Sequence, residues 1–215
     1  SVKLMEIGQG AEIPATDIFL NQDLVTLSKR GRMLRVSYEA IRNQRLDLFA
    51  VTLRQIGIAI ANEQLSDALT LIIDGTDTVE PAETYGIAGD ELAYSDLVRF
   101  WSLFDDLNLT TLLVSPVVMA KILTLDEVKD TVSGDYMTTG RITLPFGATL
   151  IKTTCLDNNT IVGLDKSCAL EMVVSSDLSM ESDKLIDRQL ERTAITATAG
   201  FSKLFAGASK VLVLS

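Results

Sequence analysis

The chain has 215 residues, 47% of them hydrophobic and 22% charged, with two cysteines, no histidine and a formal net charge of −10. A chain of this size buries roughly 70% of its unfolded surface, so one or two packed domains are expected without a disulfide or metal staple. The lack of histidine removes the imidazole base of serine and cysteine hydrolases, the commonest nitrogen ligand of zinc, and the natural titrating group of a switch near neutral pH.

The opening residues contain no basic region leading into an apolar block, so no signal peptide is expected. Residues 1–44 read as extended: 17–27 alternate imperfectly, and 33–38 form a strand after a polar break at 28–31. Little in this section could form its own core, so it must lean on something else. Gly8-Gln9-Gly10 lacks the third glycine and the strand-to-helix setting of a dinucleotide loop, and the chain has no glycine-lysine-serine/threonine phosphate loop.

The strongest local pattern lies in residues 45–74, where Leu46, Phe49, Leu53, Ile56 and Ile60 recur at intervals of three and four, continued by Leu65, Ala68, Leu69 and Ile72. No proline interrupts it, and Gly75 follows as a left-handed terminator. A helix of about 30 residues is a rod of about 45 Å, too long for a small domain to bury alone. It is either a long bundle helix or a strut whose exposed parts neighbouring subunits cover.

Residues 76–91 are a polar, acidic connector. Residues 94–106 carry a second helical stripe through Leu97, Val98, Trp101 and Phe104. Leu112-Leu113-Val114 is a short buried strand, after which Ser115 caps a helix with Pro116 at its first position. A polar loop over 126–139 precedes short strands at 141–144, 149–156, 160–163 and 169–174. The charged segment 177–191 is expected to hold a short helix near 183–189; strands at 193–205 and 210–214 close the chain. The longest apolar stretches, such as 110–120, are broken by Pro116 and Lys121 and fall well short of the ~20 residues of a membrane span. Cys155 and Cys168 fit neither a disulfide framework nor a metal spacing and are expected as small apolar residues in a reducing interior. Asn108-Leu109-Thr110 and Asn158-Asn159-Thr160 match the glycosylation pattern by chance.

Charge is segregated along the chain. Lys29, Arg30, Arg32, Arg35, Arg42 and Arg45 face only Glu39 between positions 29 and 45, a net +5, while the remainder carries −15. The acidic total argues against a protein whose main task is gripping nucleic acid. The basic cluster is instead a candidate subunit interface, docking on an acidic patch of another copy drawn from Asp126, Glu127, Asp130, Asp177, Glu181, Asp183, Asp187 and Glu191. A phosphate-gripping patch and a merely solvated face are the alternatives. Carboxylate pairs at Asp105-Asp106 and Asp126-Glu127 could hold magnesium or act as acid and base, which keeps a carboxylate-dependent hydrolase as an alternative of another class.

The order of elements resembles a known family. The strand ending in Val36-Ser37-Tyr38-Glu39, the long helix opening near Leu46-Asp47 and closing at Gly75, Leu113-Val114-Ser115-Pro116 before a helix, Leu144-Pro145-Phe146-Gly147-Ala148-Thr149 before a strand, and the Ile161-Val162-Gly163-Leu164-Asp165 turn are similar to successive landmarks of tailed-phage major capsid proteins, the Hong Kong 97-like fold. The closing strands follow in the same order. The resemblance implies an α+β fold with an extended E-loop and arm region at 1–43, a P-domain with the spine helix at 44–90 and 166–206, and an A-domain at 91–165 and 207–215.

It also implies a structural coat subunit of a tailed phage or prophage that self-assembles into an icosahedral shell around DNA, with an encapsulin-like bacterial shell protein as the runner-up. The expected partners are identical subunits in pentamers and hexamers, a scaffolding protein, a portal, and enclosed DNA bound without sequence specificity, with no membrane. The expected location is the virion, and the bacterial cytoplasm during assembly. No catalytic residue, metal or cofactor is expected. Lys29 lies in the general region where some family members form lysine–asparagine crosslinks, but no surrounding motif assigns it that role.

Overall fold

A computed structural model of the chain describes residues 25–43, 48–87, 89, 91–129 and 142–214. The expectations for Gly8-Gln9-Gly10, for the arm up to residue 24, for Arg45, Leu46 and Asp47, and for most of the 126–139 loop lie outside those residues.

β1 (Ser28–Ser37) continues into the short helix α1 (Tyr38–Asn43). The polar run at 28–31 is strand rather than a break. It pairs antiparallel with β8 (Leu190–Lys203) in unbroken register from Ser28↔Ala199 to Ser37↔Leu190. A long partner strand overrides the poor strand propensity of Ser-Lys-Arg-Gly, so the opening section leans on β8 of its own chain.

The largest departure lies beyond residue 174. β7 runs from Leu170 to Leu185, and the expected helix near 183–189 is only a 3₁₀ turn, Ile186–Arg188, at the tip of a hairpin with β8. The charged residues of 177–191 reflect a solvent-facing hairpin, and a bulge between Val174 and Ser179 absorbs the irregular pattern. Gln189 takes a left-handed φ of 50° to close the turn. Among the described residues, β1, β8 and β7 form a three-stranded sheet in that order.

α2 (Leu48–Ile73) spans about 39 Å. Its first half buries Ile56 and Ile60 against Ile195 and Ala197 of β8. Its second half buries Leu69 and Ile72 against Leu113, Val162 and Val211 of another sheet. The expected stripe therefore serves two sheets in succession. α2 is also long and apolar enough to cross a membrane by length and composition, a longer apolar segment than the 110–120 stretch. Gly75 ends the rod at φ +70°, and the Ala82 N–H donates to the Ile72 carbonyl at 2.7 Å.

The second sheet has the order β2-β9-β6-β3-β5-β4. Its strands are β2 (Glu83–Gly86), β3 (Thr111–Val114), β4 (Ile142–Thr143), β5 (Thr149–Lys152), β6 (Thr160–Leu164) and β9 (Ser209–Val213). β2 lies inside the expected 76–91 connector and pairs in parallel with β9, so the 44–90 block contributes to both sheets. All four residues of β3 are buried, which explains a continuous apolar run rather than an alternating one.

α3 (Tyr94–Ser102) and α4 (Pro116–Leu123) supply the rest of this core, notably Leu97, Phe100, Val118 and Ile122. α3 stops at Ser102, short of the expected Asp106, and β5 stops at Lys152, short of Leu156. Ser115 caps α4 as expected, its Oγ accepting from the Val118 N–H at 3.3 Å with Pro116 next in line. Gly163 is a packing requirement: a Cβ there would lie 2.5 Å from Cε1 of Phe100.

Asp165, 5% exposed, ties two loops together. Its carboxylate accepts from the Ser167 hydroxyl at 2.6 Å, the Ser167 N–H at 3.0 Å and the Asn108 N–H at 3.0 Å. The Ser167 hydroxyl foremost, then the two backbone N–H groups, outweigh burial and hold the carboxyl below the ordinary aspartate range. Both cysteines are half-buried and free.

Candidate subunit-assembly surface

Strand alternation sorts the basic cluster. Residues directly opposite one another in a ladder share a sheet face. Arg30 and Arg32 pair with Ala197 and Ile195, the β8 residues that face α2. Lys29 and Arg35 pair with Thr198 and Arg192 and so lie on the other face. The four cations on β1, which appear as one patch in the sequence, are thus divided between two sides. Arg42 belongs to α1 but its side chain is outside the described set, as is Arg45.

Arg30 is used within the chain. Its Nε and Nη2 donate to the two carboxylate oxygens of Asp67 at 3.1 and 2.5 Å, and its Nη1 donates to Glu63 at 3.0 Å. Both acids stand on α2, so Arg30 clamps β1 to the rod, a geometry that suits a guanidinium fork. Arg30 thus has an intrachain role that its place in the basic cluster did not announce. Lys29, Arg32 and Arg35 are exposed, and among the described residues none of the three forms an ion pair.

On the face away from α2, Arg35, Arg192 and Asp183 form a row across the three strands. Arg192 donates to Asp183 at 2.7 Å, and that hydrogen bond lowers the Asp183 pKa below the usual aspartate value. Arg35 faces the like charge of Arg192 directly. Glu181 shares this face one row away, opposite Ala194, and Glu171 shares it opposite Ser202.

The same half of the molecule exposes much apolar surface. Leu178 and Met180 on β7 are 61% and 62% exposed, Ile186 at the hairpin tip is 81% exposed, and Val51 and Ile58 of α2 face solvent. Sequence reasoning did not single these out, although the scarcity of charge on α2 was a usable signal. Trp101, 45% exposed, sits with its ring centroid 6.4 Å from that of Phe146 on the other half.

The acids proposed for hydrolysis are not assembled into one centre. Asp105 and Asp106 follow α3 as exposed residues, and Asp126 is engaged by Lys129 at 2.8 Å. Among the described residues no group of three or more acids and cysteines is placed to hold a metal ion.

Comparison with known proteins agrees with this architecture. Solved structures with the same fold include that of Mycobacterium phage Che8 (15% identity, TM-score 0.64, covering 86% of this chain and 70% of that one). The capsid of cyanophage P-SCSP1u matches at 14% identity and TM-score 0.66, over 97% of this chain and 80% of that one. The encapsulin complex of Synechococcus elongatus matches at 15% identity and TM-score 0.61, over 87% and 73%. No curated protein matches the chain. The model of the phage capsid protein family matches residues 21–201. A spine helix shared by two sheets, a family match over most of the sequence and a common fold across nearly its whole length lead to one assignment: the chain belongs to the phage capsid protein family and is a structural capsid subunit of Hong Kong 97-like fold.

Proposed function

We propose that this chain is the major coat subunit of a tailed phage or prophage, many copies of which close an icosahedral shell around DNA. The observation that carries the reading is the half-covered state of α2 and β7: large apolar side chains on both elements lie open beside charges of both signs, a surface that further copies would cover. Pentamers and hexamers, a scaffolding protein and a portal follow as partners, with DNA held without sequence readout. The role is structural, without a catalytic centre.

In this reading α2 with β7 and β8 forms the P-domain, the six-stranded sheet with α3 and α4 forms the A-domain, and residues 1–43, β1 included, form the E-loop and arm region, whose strand packs on the P-domain. Lys29, Arg30, Arg32 and Arg35 are the interface candidates among the described cations, Arg30 doubling as the clamp on α2, with Arg42 and Arg45 carried from the sequence. The likeness to an encapsulin supports a second reading, a bacterial shell around protein cargo.

Electron microscopy of the purified full-length chain tests the proposal. Closed particles of uniform diameter are expected, with absorbance of nucleic acid inside for the phage reading and of protein alone for the encapsulin one. A species that stays monomeric at high concentration would overturn both.

A further inference from the structure

Among the described residues, the three-stranded sheet has two edges without a strand partner, the outer sides of β1 and β7. β1 carries Lys29, Arg30, Arg32 and Arg35 with no acid, a net +4. β7 carries Glu171, Asp177, Glu181 and Asp183 against Lys184, a net −3. The two open edges of one sheet therefore have opposite sign.

Side-chain direction sharpens the contrast. Lys29 and Arg35 of β1 and Glu171, Glu181 and Asp183 of β7 all project from the face away from α2. The free cations of one edge and the acids of the other would thus meet on the same side if two sheets were joined with that face up. Arg35 has a local reason to recruit an acid, since its direct neighbour across the ladder is Arg192 and Asp183 already serves Arg192.

We propose that copies of this subunit associate head to tail through these edges, β7 of one against β1 of the next, extending the sheet from copy to copy. The proposal rests on the coat-subunit reading for the existence of a second copy and goes beyond it by fixing which edges meet. A two-fold contact would set β7 against β7 or β1 against β1, bringing like charges together; only the heterologous contact joins opposite ones. The same charges guard a liability. β7 is a 16-residue edge with exposed Val174, Leu178 and Met180, the kind of strand that pairs indiscriminately unless repulsion forbids the wrong partners.

Three variants of the full chain test it by sedimentation velocity at several salt concentrations: Lys29→Glu with Arg35→Glu, Glu171→Lys with Glu181→Lys, and all four together. Each pair alone is expected to lower the association constant at least about tenfold near 50 mM salt, with the deficit shrinking below about threefold at 1 M. The four-fold swap restores the opposite signs and is expected to associate within about threefold of the wild type. Thermal melts check folding, and Lys29→Gln with Arg35→Gln provides a neutral pair of intermediate effect should a reversed pair fail to fold. Shells that form normally from either reversed pair, or a folded four-fold swap that stays dissociated, would overturn the edge contact and leave the coat-subunit reading standing. A wild type without self-association at any salt would overturn both.

Discussion

The two sheets of this subunit are built from one chain under opposite rules. The six-stranded sheet is enclosed: β3 is buried throughout, α3 and α4 pack on it, and 17 buried residues form its main cluster. The three-stranded sheet has four residues in its buried cluster, while its longest strand, β7, is exposed almost end to end. The first is stabilised by its own packing. The second borrows a helix, an ion-pair clamp and, in the proposed shell, its neighbours. Under the proposed assembly, folding and association fall to different parts of the sequence.

The sharpest way to break this contrast is to cut into the enclosed half. Phe100→Ala, removing a side chain 1% exposed and edge-on to Phe104, is expected to cost about 4 kcal/mol in urea unfolding of the isolated subunit. Ile60→Ala in the smaller cluster is expected to cost about 2 kcal/mol, because an open site relaxes more easily. Equal losses would mean that the two halves share one core.

Between those two in size is Asp165. Replacement by alanine removes an acceptor used by three donors and is expected to cost about 3 kcal/mol near neutral pH. Because its folded pKa lies below the unfolded value of about 3.9, its contribution is complete above that value and fades as pH falls through the folded one. The gap between wild type and variant in denaturant titrations should therefore narrow below about pH 4; a gap that widens there would show the carboxylate is not the stabilising form.

Arg30→Ala is expected to cost only about 1 kcal/mol, since its partners Glu63 and Asp67 are partly solvated. The effect should shrink at high salt. Ile186→Ser is expected to change subunit stability by less than about 0.5 kcal/mol, the residue being almost fully exposed. A fall in particle yield from this variant, with an unchanged melt, would place the hairpin tip in a contact between copies.

Much of the enclosed half was legible in the sequence because its signals are local. Ser115-Pro116 marks a helix start, Gly75 a helix end, Leu112-Leu113-Val114 a buried strand, and each stands where expected. The open half was read less well. Its hairpin beyond residue 174 is polar by composition, and nothing nearby in sequence announces that β8 will template 16 residues of β7. The basic cluster was legible only in part. Its net charge was visible, but strand alternation divides Arg30 and Arg32 from Lys29 and Arg35, and only the approach of α2, more than 30 residues away, turns Arg30 inward.

The continuous rod of α2 has a mechanical consequence. Ile60 grips one sheet and Leu69 the other with no proline between them, so the angle between the two sheets is a property of helix stiffness rather than of a linker. A wall assembled from such pieces bends at its seams and keeps each brick rigid. Inserting a kink at Ala61 would move that compliance inside the brick, and curvature would no longer be dictated by the joints.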